Sequence, residues 1–192
     1  RLLLSAAIFQ NDRTNYKVAP VDPTLPADQV LDGEARVRGL TLSATGNITD
    51  NITIFANYTF LDSEVRQGVS DFCLTQPLTN TACYSATTPL PGNPLLATPE
   101  HSGSFWFTYA FDNGISPYVS YSEAFTPLTG TDRLSRPFKP EEGEQYEAGL
   151  KYQPPGTNSL YTAAVFEVTR TNVKTPDPVN ANMIYSLPVC GS

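Results

Sequence analysis

Apolar residues fall at every second position in several stretches of this chain. From 52 to 60, Ile52, Ile54, Ala56, Tyr58 and Phe60 alternate with a mostly polar set. From 104 to 111, Phe105, Phe107, Tyr109 and Phe111 alternate with Ser104, Trp106, Thr108 and Ala110. In QYEAGLKY, Tyr146, Ala148, Leu150 and Tyr152 oppose Gln145, Glu147, Gly149 and Lys151. Strand side chains point to opposite faces in turn, so this spacing predicts strands with one oily face and one wet face. The same template predicts seven strands, at about 2–14, 34–47, 51–65, 102–111, 115–123, 144–153 and 159–172. The expected fold is all-β: an antiparallel up-and-down meander of about seven strands.

The connections carry a second pattern. Long loops at about 15–33, 66–101 and 124–143 alternate with short turns at Thr49–Asp50, at Asp112–Asn113–Gly114 and in PPGTN. In a meander this puts every long loop at one end and every short turn at the other. A transmembrane β-barrel has that asymmetry, and roughly nine to eleven tilted residues suffice to cross a bilayer. The rival expectation is a secreted or surface β-sandwich that binds a partner through its long loops. Its main support is three Asn-X-Thr sequons, at Asn47, Asn51 and Asn57.

Composition narrows the choice further. The 192 residues carry a formal net charge of −7, with a pI near 4.6 and no basic run. Nucleic acid is therefore not an expected partner, because phosphate binding needs clustered Lys and Arg. No apolar run approaches the roughly 18 residues of a membrane helix, so a membrane role would have to use strands. The opening RLLLSAAIF reads as a strand, and any targeting signal is expected outside this sequence. Cys73 and Cys83, in a polar loop, suit a disulfide formed in an oxidising compartment, while Cys190 has no visible partner.

No catalytic constellation stands out. The single histidine, His101, opens a strand, and neither GxSxG, a P-loop nor a Cys/His cluster occurs. The chain is not expected to be an enzyme or to hold a metal or a resident cofactor.

Longer motifs point to a family. PYVSYSEAF, FKPEEGEQYEAGLKY and AAVFEVTRTN, in this order within 113–178, closely resemble the middle barrel region of TonB-dependent ferric-siderophore receptors. SAAIFQNDRTN, RGLTLSATGNITDNITIFANYTFLDSEV and HSGSFWFTYAF look like a later part of the same barrel. The resemblance implies one barrel segment over 1–192. In it, 1–111 resembles a later region, 112–178 resembles an earlier one, and 179–192 is unassigned. SAAIFQNDRTN and TAAVFEVTRTN share six of eleven residues, as if one strand occurred twice. No plug-like stretch is visible.

As implications of the resemblance, the chain would sit in a bacterial outer membrane and serve uptake of a ferric siderophore, the transported ligand. It would meet lipid and lipopolysaccharide, and would reach the TonB complex only through a plug. Phe105, Phe107, Tyr109, Phe111, Tyr146, Leu150 and Tyr152 would face lipid. Arg36, Arg38, Phe72, Tyr84, Phe125, Arg133, Arg136 and Phe138, in or beside the long loops, are candidates to hold the ligand.

Overall fold

A computed structural model describes residues 1–18, 30–84, 88–95, 98–128, 138–176 and 184–187. Seven strands form one sheet in strict chain order: β1 (Leu2–Val18), β2 (Val30–Asn47), β3 (Ile52–Gln67), β4 (His101–Tyr109), β5 (Ile115–Thr126), β6 (Glu141–Tyr152) and β7 (Tyr161–Thr171). Every neighbouring pair is antiparallel. A one-turn helix, α1 (Asp71–Leu74), lies in the loop after β3. A separate ribbon pairs β8 (Val173–Pro176) with β9 (Ile184–Leu187), an element absent from the expected meander.

The register sorts side chains into rows across the strands. One row runs Leu2, Gly46, Ile54, Phe107, Val119, Ala148 and Val165. Two residues further along lies Leu4, Ala44, Ala56, Phe105, Tyr121 and Tyr146 on the same face. Between them, on the opposite face, runs Leu3, Thr45, Phe55, Trp106, Ser120, Glu147 and Phe166. The next row on that face is Ser5, Ser43, Asn57, Ser104, Ser122 and Gln145, polar on six successive strands. Ser5 bonds Ser43 at 2.7 Å, and the Asn57 amide donates to Ser104 Oγ at 2.6 Å.

Among the described residues no second sheet covers the apolar face. Phe105 is 41% exposed, Val165 74% and Ile8 87%. The packed double layer that a sandwich requires is not formed. On β3 the apolar band spans the nine residues Ile52–Phe60, about 30 Å of strand, or roughly 23 Å of height at the usual barrel tilt.

Aromatic rings gather in two tiers on this face. Toward the short turns, Tyr109 packs edge-on to Phe111 and Tyr152 stacks with Tyr161. Toward the long loops, Tyr121 leans on Tyr146, and Tyr58 donates to or accepts from His101 Nδ1 at 2.7 Å. Rings with an apolar body and a polar tip suit the boundary between hydrocarbon and water. Tyr118 lies on the other face, where it is buried. Phe111 falls beyond the end of β4, in the turn closed by Gly114 at φ +83°. Positive φ is readily accessible only to glycine, which fixes the turn there.

Strand ends depart from expectation in both directions: β4 stops two residues early and β7 is shorter at both ends. At the long-loop end β1, β2, β3, β5 and β6 each run two to four residues further than the alternation predicts. Past the apolar band charged residues share each face with apolar ones and β1 and β2 shift register, so the period-2 signal vanishes while the ladder continues.

Candidate functional site

The loop after β3 does not stand clear of the sheet. Its chain crosses the polar face: Gly92 N–H donates to Val65 O, Asn93 O accepts from Val65 N–H, and Leu95 N–H donates to Ser63 Oγ at 3.1 Å. Beneath it, at the long-loop end of β1–β3, is a half-open cavity of about 680 Å³. Asn11, Arg13, Tyr16, Val37, Val65 and Leu95 are among its lining. Tyr16 is tethered through its hydroxyl to Gln67 O at 2.8 Å, and burial raises its pKa. The Arg13 guanidinium stands 5.9 Å from the Tyr16 ring centroid, a cation held against an aromatic wall.

The start of the same loop is braced by a small core of its own. Cys73 and Cys83 are joined by a disulfide, with Cα atoms 5.4 Å apart. Val69 packs on them, with Phe72 and Tyr84 alongside. The Tyr84 hydroxyl donates to Cys73 O at 2.8 Å, and Ser70 caps α1 through Cys73 N–H. Phe72 and Tyr84 are thus half-buried bracing residues of this loop.

Arg36 and Arg38, two of the expected ligand-holding arginines, stand on β2. The pleat places both in line with Leu40 and Leu42, on the apolar face just past the band. Arg36 is bonded there to Asp12, and Arg38 donates from Nε to Gln10 Oε1 at 3.1 Å. The Arg36 guanidinium, by hydrogen bonding, holds the Asp12 carboxyl below the usual range. Phe125, opposite Glu142, shares that face and points away from the cavity for the same reason. Phe138 is buried, with the Lys174 ammonium 4.9 Å from its ring centroid. Arg133 and Arg136 lie outside the described residues.

A second cluster occupies the polar face near the short turns. Trp106 and Tyr118 stack with centroids 4.4 Å apart, and Lys151 Nζ sits 4.7 Å and 5.1 Å from the two rings. The Tyr118 hydroxyl donates to Glu147 Oε1 at 2.6 Å, and Gln145 donates to Glu147 Oε2. Tyr118 lies flat across Gly149, where an added methyl would come within 2.4 Å of the ring.

Arg13, Asn11 and Tyr16 were not among the expected ligand-holding residues. Their sequence signal is weak: they sit inside a strand, and only the fold of residues 88–95 turns their strand end into a pocket.

A single-layered sheet, oily on one face and wet on the other with all its long connections at one end, is the wall of a membrane barrel. Comparison with known proteins is consistent with that reading. The family model described as "TonB dependent receptor-like, beta-barrel" matches residues 1–114 and 107–186. The chain belongs to this family. The family comprises outer-membrane receptors and transporters rather than enzymes, and the chain is a segment of such a barrel in the outer membrane.

Among its relatives are the ferrioxamine B receptor of Salmonella typhimurium, 49% identical over 69 residues, and the ferrioxamine receptor of Yersinia enterocolitica, 51% identical over 72. These matches cover 36% and 38% of this chain and 10% of each relative. The probable TonB-dependent siderophore receptor PiuA of Acinetobacter baumannii is 35% identical over 108 residues, covering 56% of this chain and 13% of the receptor. The crystal structure of that siderophore receptor superposes on 97% of this chain and 24% of its own length, with a TM-score of 0.60 and 23% identity. The shared fold is the barrel wall. This chain spans about a tenth of the curated relatives it matches and about a quarter of the solved receptor.

Proposed function

We propose that this chain is the ligand-facing part of a receptor that takes up ferric siderophores across the outer membrane. Family membership supports this reading, as do the names of its relatives, two of which are ferrioxamine receptors. The observation that carries it is the loop-covered cavity on the polar face, at the end where all the long loops lie. Ferric siderophores present carbonyl and oxyanion oxygens around the metal, together with apolar linkers. Arg13 and Asn11 supply donors for the first, and Tyr16, Val37, Val65 and Leu95 an apolar wall for the second.

On this reading the iron is cargo, no resident cofactor is needed, and the apolar face meets lipid, with lipopolysaccharide at its outer rim. Contact with the TonB complex belongs to a plug, outside the barrel wall described here. The test is ferric ferrioxamine B binding, measured in detergent by quenching of the chain's single Trp and in cells by radio-iron uptake through a receptor that carries this segment. Arg13→Ala is expected to weaken binding by about tenfold, the scale of one charge-assisted hydrogen bond. Unchanged binding with Arg13→Ala, or no binding of any ferric hydroxamate, would overturn the assignment.

A further inference from the structure

The chain carries Arg-Thr-Asn twice, at 13–15 and at 170–172, and each time the Asn takes a left-handed backbone. Asn15 and Asn172 both stand at φ 58°, the non-glycine residues with positive φ among the described residues. Asn tolerates that region better than most residues, and β-branched residues tolerate it worst. In both places the Asn falls where the ladder breaks: β1 shifts register after Arg13, and the β6–β7 pairing ends at Thr171. The same three residues thus place the same turn in two settings, which makes it a property of the local sequence.

On β1 the turn decides which face Tyr16 joins. Arg13 pairs with Ala35, and Tyr16, three residues on, pairs with Gly33, only two residues back along β2. One residue is extra on β1, the mark of a β-bulge. Strand side chains alternate, so an unbroken ladder would pair Tyr16 with Asp32 and point its ring to the outer face, in line with Asp12. The extra residue reverses that parity. Tyr16 shares the cavity instead with Asn11 and Arg13. Its ring lies over Gly33, where an added Cβ would come within 2.5 Å, and its hydroxyl reaches across β2 to Gln67 O on β3.

We propose that Asn15 is a positioning residue of the ligand cavity. Its left-handed turn carries Tyr16 from the outer face to the inner one, where the ring backs the Arg13 guanidinium, 5.9 Å from its centroid, and forms part of the cavity wall. This role rests on the reading of that cavity as the siderophore site. The two parts of the site have separate origins: residues 88–95 roof the cavity, and Asn15 supplies its aromatic wall. A β-branched residue at 15 disfavours positive φ and would return the strand to the plain ladder, which takes the ring out of the cavity and leaves Arg13 without its aromatic backing.

Two readouts separate this role from the siderophore reading. Register is measured without ligand, in the full chain carrying Cys190→Ser and Tyr16→Cys, refolded in detergent micelles, with either Gly33→Cys or Asp32→Cys as the second cysteine. With Asn15 in place, mild oxidation should join position 16 to 33 about fivefold more than to 32, because a disulfide demands close, aligned Cβ atoms. Asn15→Val should level or invert that ratio, and Asn15→Gly, which reaches positive φ freely, should restore it. Asn15→Ala is the milder change should Asn15→Val not fold, and it should lower the ratio too. The second readout is ferric ferrioxamine B binding by the chain with Tyr16 kept. Asn15→Val should weaken it about tenfold, because only the fraction of chains that still adopts the turn is competent, and Asn15→Gly should return it to within about twofold. A crosslink ratio indifferent to Asn15→Val and Asn15→Ala overturns the proposal, as does a changed ratio with unchanged binding. A chain that binds no ferric hydroxamate at all overturns the siderophore reading instead, and the crosslink ratio alone then decides whether Asn15 sets the face of Tyr16.

Discussion

Two rows of residues cross the same strands three positions apart, on opposite faces of the sheet. Leu2, Gly46, Ile54, Phe107, Val119, Ala148 and Val165 form an unbroken apolar row, while Ser5, Ser43, Asn57, Ser104, Ser122 and Gln145 form a hydrogen-bonded polar one. In a water-soluble protein the oily row would be buried and the polar row solvated. Here the oily row is uncovered and the polar face carries the folded-back loop. The difference teaches that, among the described residues, no layer covers the oily face; on the proposed function its hydrophobic partner is the hydrocarbon of the bilayer.

The largest effect should come from charging one row and then the other. Leu42→Arg places a cation in the middle of the apolar band and is expected to cost about 2–4 kcal/mol of folding stability in vesicles, whereas Ser43→Arg on the adjacent position costs little. Urea titration with heat-modified gel mobility as the readout measures both. Comparable losses at 42 and 43 would erase the distinction between the faces.

A smaller effect tests the polar face on its own terms. Gly149→Ala pushes a methyl into the Tyr118 ring and should lift it from the Trp106 stack, destabilising the wall by about 1–3 kcal/mol. The Trp emission should shift as its stacked neighbour moves. An unaltered spectrum would mean that the stack is not held by the close approach at Gly149.

Opening the disulfide with Cys73→Ser and Cys83→Ser should act locally, with a loss of roughly 2–3 kcal/mol confined to the loop. Hydrogen exchange should quicken in residues 68–95 and stay unchanged in β4–β7. If β4–β7 loosen as well, the loop is coupled to the whole sheet.

The smallest effect is electrostatic. Because Arg36 holds the Asp12 carboxyl below its ordinary value, that contact stabilises the fold fully above the usual carboxylate pKa near 4 and fades as pH falls through the lowered one. Asp12→Asn should remove this acid-side slope while leaving stability at neutral pH only slightly reduced. An acid-side profile identical to that of the unaltered chain would show the pair to be inert.

Much of this was legible in the sequence, and the rest was hidden for identifiable reasons. QYEAGLKY and the stripe at Phe105, Phe107 and Tyr109 read correctly as strands, because a bilayer on one face and water on the other impose the strict alternation that period-2 reasoning detects. The extra residues of β1, β2 and β3 did not show, because the register shifts there, between Arg13 and Tyr16, Tyr16 and Val18, and Glu34 and Ala35, break the two-residue period that reveals a strand. Arg36 and Arg38 were expected in or beside a loop and turned out to be bound on the outer face, a matter of pleat parity that only the exact strand register decides. Arg13 and Tyr16 gained their place in a cavity from a loop more than fifty residues away, and no local pattern encodes that.

The chain's single tryptophan allows a direct test of which face meets lipid. Trp106 lies on the polar face and Phe107 on the apolar one. In vesicles containing brominated lipid, the fluorescence of the unaltered chain should be barely quenched, while a variant with Trp106→Phe and Phe107→Trp should be strongly quenched. Equal quenching at both positions, or stronger quenching at 106, would contradict the assignment of the oily face to the bilayer.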